Sequence, residues 1–70
     1  MLWTLMEAKK SEMDITQVQL AALLDLSPTY ITRLKQNDIV PSYDVANRIA
    51  TWLGITPGQV FDALPRINGN

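Results

Sequence analysis

The sequence predicts an all-α fold, a compact domain built from five short helices. One local pattern occurs three times, at "ITQVQL", "LSPTYI" and "ITPGQV". In each, a Ser or Thr follows one apolar residue and precedes another by four positions, which is the hydrophobic staple around a helix N-cap. Apolar residues also recur at helical spacing, and nowhere do they alternate with polar residues as in a strand. The predicted helices cover about residues 2–11, 17–24, 28–36, 43–53 and 57–64.

Residues at the predicted helix ends support these limits. Gln19 lies three residues after Thr16, and Gln59 lies three residues after Thr56, so each pair completes a capping box. Ser42 is the predicted cap of the fourth helix. Helices are expected to end where a residue takes the left-handed conformation, which Gly adopts readily and which Asn and Asp tolerate. The candidates are Asp25, Asn37 and Gly54.

Helical periodicity assigns an apolar face to each helix. In the first helix this face consists of Leu2, Leu5 and Met6, and Trp3 is left open between packing and exposure. In the fourth helix the inner face holds Val45, Ala46, Ile49, Trp52 and Leu53, and the outer face holds Asp44, Asn47, Arg48 and Thr51.

The second helix has more apolar residues than one stripe needs. Its predicted buried stripe is Leu20, Ala21 and Leu24, while Val18 and Leu23 lie on the flanks of that stripe. We therefore expect Val18 and Leu23 to be exposed, which leaves a surface able to contact another protein.

The third helix is predominantly polar and has a narrow inner face. Ile31 and Leu34 point inward, next to the staple residue Leu26. The opposite face carries two hydroxyls, a guanidinium and an amide but no carboxylate, which suits contact with an anion such as phosphate. Its residues are Thr29, Thr32, Arg33 and Gln36.

Composition excludes several classes of function. The chain has no cysteine and no histidine, so it lacks thiol nucleophiles, imidazole bases and the commonest metal ligands. Its carboxylates are scattered and it has no glycine-rich phosphate loop. We expect no enzyme activity, no cofactor, no metal and no small-molecule substrate. No apolar run approaches the roughly 18 residues of a membrane span, and no signal peptide is visible, so the cytoplasm is the expected location.

The second and third helices are separated by only three residues, Asp25, Leu26 and Ser27. Such a short connection sets two helices at a steep angle, which is the helix-turn-helix arrangement. The stretch "TQVQLAALLDLSPTYITRLKQN" followed by "PSYDVANRIATWLGITPGQVF" resembles the lambda-repressor-like helix-turn-helix family, which includes phage repressors and Cro proteins. The resemblance covers about residues 15–61 of a single domain, 1–70, whose last residues, 65–70, are expected to be frayed.

The resemblance implies sequence-specific binding to duplex DNA by a phage or bacterial repressor of the Cro type. In this family the helix matching residues 28–36 enters the major groove. The positions expected to face bases are Pro28, Thr29, Thr32 and Arg33, of which periodicity alone had already placed the last three on the outer face. The positions expected at the DNA backbone are Gln17, Gln36, Asn37, Ser42 and Tyr43.

Three departures from the family concern charge and turn chemistry. The turn after the third helix is usually Asn-Gly preceded by an acid, whereas here Lys35 stands at the acidic position, so Glu7 or Asp14 is expected to neutralise it. Asp25 stands where the family usually has glycine. The formal net charge of −1 is unusual for a DNA-binding domain, because phosphate neutralisation favours basic proteins.

Two further expectations concern partners. One copy should bind DNA weakly, so we expect a homodimer whose candidate contacts are the apolar residues Phe61, Leu64 and Ile67. The alternative function is a protein-binding module of the same fold, an antitoxin-like or anti-repressor subunit. In that interpretation Val18, Leu23 and Trp3 cover a protein partner, and the acidic balance of the chain slightly favours it.

Overall fold

Five helices form the described part of the protein, residues 1–64 of a computed structural model. No strand occurs in this range, so the predicted all-α fold is confirmed. The helices are α1 Leu2–Met13, α2 Gln17–Leu23, α3 Pro28–Lys35, α4 Tyr43–Leu53 and α5 Pro57–Asp62. All five begin at the predicted residue. The predicted frayed tail, 65–70, lies outside the described residues.

Four of the helices are capped at their N-terminus by the predicted Ser or Thr hydroxyl. Both capping boxes are present: Thr16 and Thr56 each accept from the backbone N–H three residues later, and Gln19 and Gln59 each accept in return from the cap N–H. Ser27 and Ser42 accept in the same way at α3 and α4. Each cap satisfies a backbone donor that the helix itself cannot, for about 1 kcal/mol of stability.

The helix ends also follow the prediction, with one addition. Asp25, Asn37 and Gly54 have φ angles of 57°, 61° and 78°, and all three lie in the left-handed region. Asp14, at φ 55°, does the same, and its backbone N–H donates to the Lys10 and Ser11 carbonyls. This unpredicted cap carries α1 to Met13, two residues beyond the predicted end, whereas α5 ends at Asp62 instead of residue 64.

One apolar core holds the helices together. The predicted buried stripes of α2 and α3 are confirmed, and in α4 Trp52 and Leu53 are half-buried at its edge. The buried residues of this core are Leu2, Met6, Leu20, Ala21, Leu24, Ile31, Leu34, Val45, Ala46, Ile49, Ala50 and Val60, and Pro41 is also buried.

The predicted inner face of α1 is wrong at one position. Leu2 and Met6 are buried, but Leu5 is 44% exposed and Trp3 is half-buried against the core. At 3.6 residues per turn, Leu5 and Trp3 lie on opposite flanks of the stripe that Leu2 and Met6 form. The core covers the Trp3 flank and leaves the Leu5 flank exposed.

Contacts at both ends of α1 attach it to the rest of the domain. The Leu2 N–H donates to the Ala63 carbonyl, 2.8 Å away, directly after α5. Near the other end, the Trp52 Nε1–H on α4 points at the Met13 sulfur at 3.2 Å. In the middle of the chain, α2 and α3 pack against each other.

Candidate nucleic-acid interface

A short, backbone-bonded turn connects α2 to α3. The Leu26 N–H donates to the Ala21 carbonyl at 2.8 Å, and the Asp25 N–H donates to the Ala22 carbonyl at 3.1 Å. The left-handed conformation of Asp25 makes this reversal possible. The predicted three-residue connection is thus a defined turn, and it fixes the angle between the two helices.

Arg48 on α4 holds the turn from the neighbouring helix. Its Nη1 donates to the Leu24 and Asp25 carbonyls, both at 3.2 Å, and its Nη2 pairs with Asp44. Carbonyls at a helix C-terminus have no partner within the helix, so the guanidinium supplies one from another element. Periodicity predicted Arg48 on a polar outer face, whereas the structure uses it as a cap for α2.

Gln17 and Thr32 join the opposite end of α2 to α3. The Gln17 Nε2 donates to the Thr32 Oγ1 at 3.0 Å, and the Thr32 hydroxyl donates to the Pro28 carbonyl at 3.1 Å. Both side chains are half-buried. Two residues predicted separately, one for phosphate and one for bases, are therefore in direct contact.

The outer face of α3 presents the other predicted base-facing residues. Pro28, Thr29 and Arg33 are exposed. Within residues 1–64 no carboxylate pairs with Arg33. Because α3 itself contains no acid, the guanidinium is available to an external acceptor.

A family model described as Helix-turn-helix matches residues 5–60. The chain belongs to the Cro/C1-type helix-turn-helix family. Searches of curated proteins and of solved structures gave no match. The match begins within α1, earlier than the resemblance at about residue 15, so α1 is part of the family domain.

Members of this Cro/C1-type family are DNA-binding regulators and are typically not enzymes. In this member of the family, the residues predicted at the DNA backbone lie at the start of α2, just after α3 and at the start of α4. Gln36 and Asn37 are exposed at the C-terminus of α3. Ser42 is exposed, although its hydroxyl already caps α4, and Tyr43 is 69% exposed.

The predicted dimer contacts lie at the end of the helix-turn-helix domain. Phe61 on α5 is 36% exposed, and Leu64 is half-buried against the core. Ile67 lies outside the described residues. A single chain is described, so the homodimer stays a prediction.

Charge is unevenly distributed over the helix-turn-helix domain. α2 contains no charged residue, and α3 contains only the two cations Arg33 and Lys35. Every acidic residue of the chain lies in α1, α4, α5 or a connecting segment. The helices α2 and α3 therefore carry two positive charges, while Asp25 in the turn between them and Asp38 just after α3 are the nearest acids in the sequence.

Glu7 on α1 is the carboxylate predicted to neutralise Lys35. It accepts from the Ser11 hydroxyl at 2.9 Å and pairs with Lys10 at 3.3 Å. These two contacts, with a smaller contribution from the charge of Lys35, hold the Glu7 pKa below its ordinary value of 4.5. Lys35 acts on Glu7 through its charge, and the direct partner is Lys10.

Neither a metal site nor a membrane segment occurs in the described part of this family member. Across residues 1–64, no three acidic side chains lie close enough together to bind a metal ion. Among the same residues, no helix has the length and apolar character needed to cross a membrane.

Proposed function

We propose that this chain binds duplex DNA sequence-specifically as a small phage or bacterial repressor of the Cro type, which acts in the cytoplasm by occupying an operator. The observation that carries the proposal is the acid-free outer face of α3, on which Pro28, Thr29 and Arg33 are exposed. A helix with this surface that follows a helix-turn-helix turn is suited to the major groove.

Arg33 is the proposed base reader. A guanidinium can donate two hydrogen bonds to guanine O6 and N7, which discriminates against other bases by about 1–3 kcal/mol. Thr29 is one helical turn before Arg33 and is exposed, so its methyl group suits a thymine methyl. Pro28 and the methyl group of Thr32 complete the base-facing surface.

Phosphate contacts are assigned to polar groups around this surface. Gln17 lies at the start of α2 and Gln36 at the end of α3. Asn37, Ser42 and Tyr43 continue the surface toward the start of α4. Such contacts fix the register of a protein on DNA without reading its sequence.

The proposed active form on DNA is a homodimer in contact through Phe61, Leu64 and Ile67. Two copies of α3 then read half-sites about 34 Å apart, one turn of the duplex. Sedimentation of the free protein and of its complex with a palindromic duplex tests this step. A strict monomer in both samples would rule out the dimer and leave the base-reading role untouched.

Selection of binding sites from random duplexes tests the DNA-binding function directly. The wild type should enrich one sequence, and Arg33→Ala should lose preference at one position, predicted to be a guanine. Lys9→Ala on α1 is the matched control, since it also removes one positive charge but lies outside α2 and α3. An Arg33→Ala protein with unchanged sequence preference would contradict the assigned role.

The alternative, a protein-binding module, is favoured by one observation. Val18 and Leu23 on α2 are 63% and 49% exposed, and Leu23 borders an open groove that Trp52 and Arg48 also line. An antitoxin-like or anti-repressor subunit would use this surface, and Trp3, predicted as part of the same contact, is half-buried against the core. Affinity for DNA should fall by nearly one logarithmic unit per phosphate contact for each tenfold rise in salt, whereas an apolar protein contact should change little.

A further inference from the structure

We propose that Thr32 is a positioning residue, whose hydroxyl orients the Gln17 side-chain amide toward a DNA phosphate. The inference rests on the proposed function, because it assigns how one phosphate contact of that interface is built. Its physical basis is the pair of consecutive hydrogen bonds from Gln17 to Thr32 and from Thr32 to Pro28.

The direction of this hydrogen-bond chain is fixed by its last member. The Pro28 carbonyl can only accept, so the single hydroxyl proton of Thr32 points at it, 3.1 Å away. Toward Gln17 the hydroxyl therefore presents a lone pair, which requires a donor. The Gln17 amide must turn its nitrogen, and not its oxygen, toward Thr32.

A fixed amide orientation leaves defined groups for a ligand. Nε2 carries two protons, and one of them is used at Thr32. Within residues 1–64 the other has no hydrogen-bond partner, and it is the donor that a phosphate oxygen needs. Without the hydroxyl, the amide can flip about its last torsion and present its oxygen, which would repel phosphate.

The same contact links phosphate binding to base reading. Gln17 is the first residue of α2, and Thr32 lies on α3 immediately before Arg33. A phosphate held by Gln17 is thereby placed at a set distance from the base-reading helix. Loss of the hydroxyl should weaken that phosphate contact while α3 keeps its fold.

Two substitutions separate the hydroxyl of Thr32 from its methyl group. Thr32→Val keeps the shape and the methyl but removes the hydroxyl, whereas Thr32→Ser keeps the hydroxyl and removes the methyl. If Thr32 acts by positioning Gln17, Thr32→Val should bind the selected duplex about 3- to 10-fold more weakly, as for one lost hydrogen bond. Thr32→Ser should retain most of the affinity.

Methylphosphonate scanning supplies the decisive readout. Duplexes of the selected sequence carry one neutral methylphosphonate at successive backbone positions, and affinity is measured for the wild type, Gln17→Ala, Thr32→Val and Thr32→Ser. A methylphosphonate at one position should lower the affinity of the wild type. At that position Gln17→Ala should bind the modified and the unmodified duplex equally well, because it has already lost the contact. Thr32→Val should be insensitive at that same position, and Thr32→Ser should remain sensitive.

Several outcomes would overturn the inference. One is Thr32→Val as sensitive as the wild type at the Gln17 position, and another is a Gln17→Ala, Thr32→Val double variant whose losses simply add. A loss of affinity in Thr32→Ser as large as that in Thr32→Val would show that the hydroxyl of Thr32 does not act by positioning Gln17. If the wild-type protein selects no sequence at all, the proposed function itself is wrong. Thermal denaturation of each variant shows whether a loss of affinity comes from unfolding.

Discussion

The guanidinium Nη1 of Arg48 on α4 donates a hydrogen bond to the backbone carbonyl of Leu24 at the end of α2, at 3.2 Å. A second bond from the same atom reaches the Asp25 carbonyl. One side chain thus satisfies two carbonyls at the turn that sets the angle of α3.

Replacement of Arg48 by Met should destabilise the domain by about 1–2 kcal/mol, because a charged donor to two carbonyls is lost at a partly exposed site. Asp44→Asn is the matched control, since it removes the ion pair of Arg48 but leaves its bonds to the turn. An exposed pair of this kind contributes about 0–1 kcal/mol. Chemical denaturation measures both, and an equal loss in the two variants would show that the ion pair, not the capping of α2, is what matters.

Ile31 fixes α3 to the core and is fully buried. Ile31→Ala should cost about 2–5 kcal/mol, a large part of the roughly 4–10 kcal/mol available to a domain of this size. Ile31→Val, expected to cost about 0.5–1.5 kcal/mol, remains measurable if the first variant unfolds. Val18→Ala at an exposed site should change the free energy of unfolding by less than about 0.5 kcal/mol.

Two residues in the left-handed conformation, Gly54 and Asp25, lead to opposite predictions for stability: removing glycine at the first should destabilise the domain, and introducing it at the second should not. Gly54→Ala should destabilise by about 1 kcal/mol through backbone strain alone, because no atom lies within 4 Å of the added Cβ. Asp25→Gly relieves the same strain and should be neutral or stabilising by up to about 1 kcal/mol. Thermal unfolding of both variants checks this, and a marked loss in Asp25→Gly would reveal an unrecognised contact of the Asp25 side chain.

The Glu7 carboxylate predicts a pH dependence. Its pKa is lowered chiefly by the Ser11 hydroxyl and then by Lys10, so the folded state binds the Glu7 proton less tightly than the unfolded state. The resulting stabilisation is present above the ordinary pKa of 4.5 and is lost as pH falls through the lowered value. Because the Glu7 side chain is 43% exposed, solvent screens its contacts and the effect should be small.

The difference in melting temperature between the wild type and Glu7→Gln measures this contribution. It should be constant near neutral pH and shrink below about pH 4.5 as the wild-type carboxylate is protonated. Glu12→Gln on the same helix is the control, since Glu12 forms no ion pair within residues 1–64. A difference that does not change with pH would exclude the contacts of Glu7 as its source.

The starts of α2 to α5 were predictable because each depends on a local interaction. Thr16, Ser27, Ser42 and Thr56 bond to the backbone three residues ahead, and such spacing is visible in the sequence. α1 has no side-chain cap, and its rotation against the core depends on distant helices. That dependence explains why Leu5 was wrongly assigned to the inner face.

The exposed residues of the candidate DNA-binding site were predictable from the sequence, but the hydrogen bonds that connect them to other helices were not. Periodicity placed Thr29, Thr32 and Arg33 on the outer face of α3, since only the helical repeat was needed. The bond from Gln17 to Thr32 and the bonds from Arg48 to the turn join residues 15 to 24 positions apart. Such contacts depend on how helices pack, and no spacing in the sequence encodes them.

The bond between the Leu2 N–H and the Ala63 carbonyl ties the first helix to the end of the fifth. Fraying at the end of α5 removes the Ala63 carbonyl as the hydrogen-bond partner of the Leu2 N–H. The packing of Leu2 in the core is then weakened as well. Amide hydrogen exchange in α1 should therefore follow that of α5, as in a single cooperative opening unit. The α2–α3 pair, clamped at both ends by side chains, should exchange more slowly and stay folded while the chain ends open.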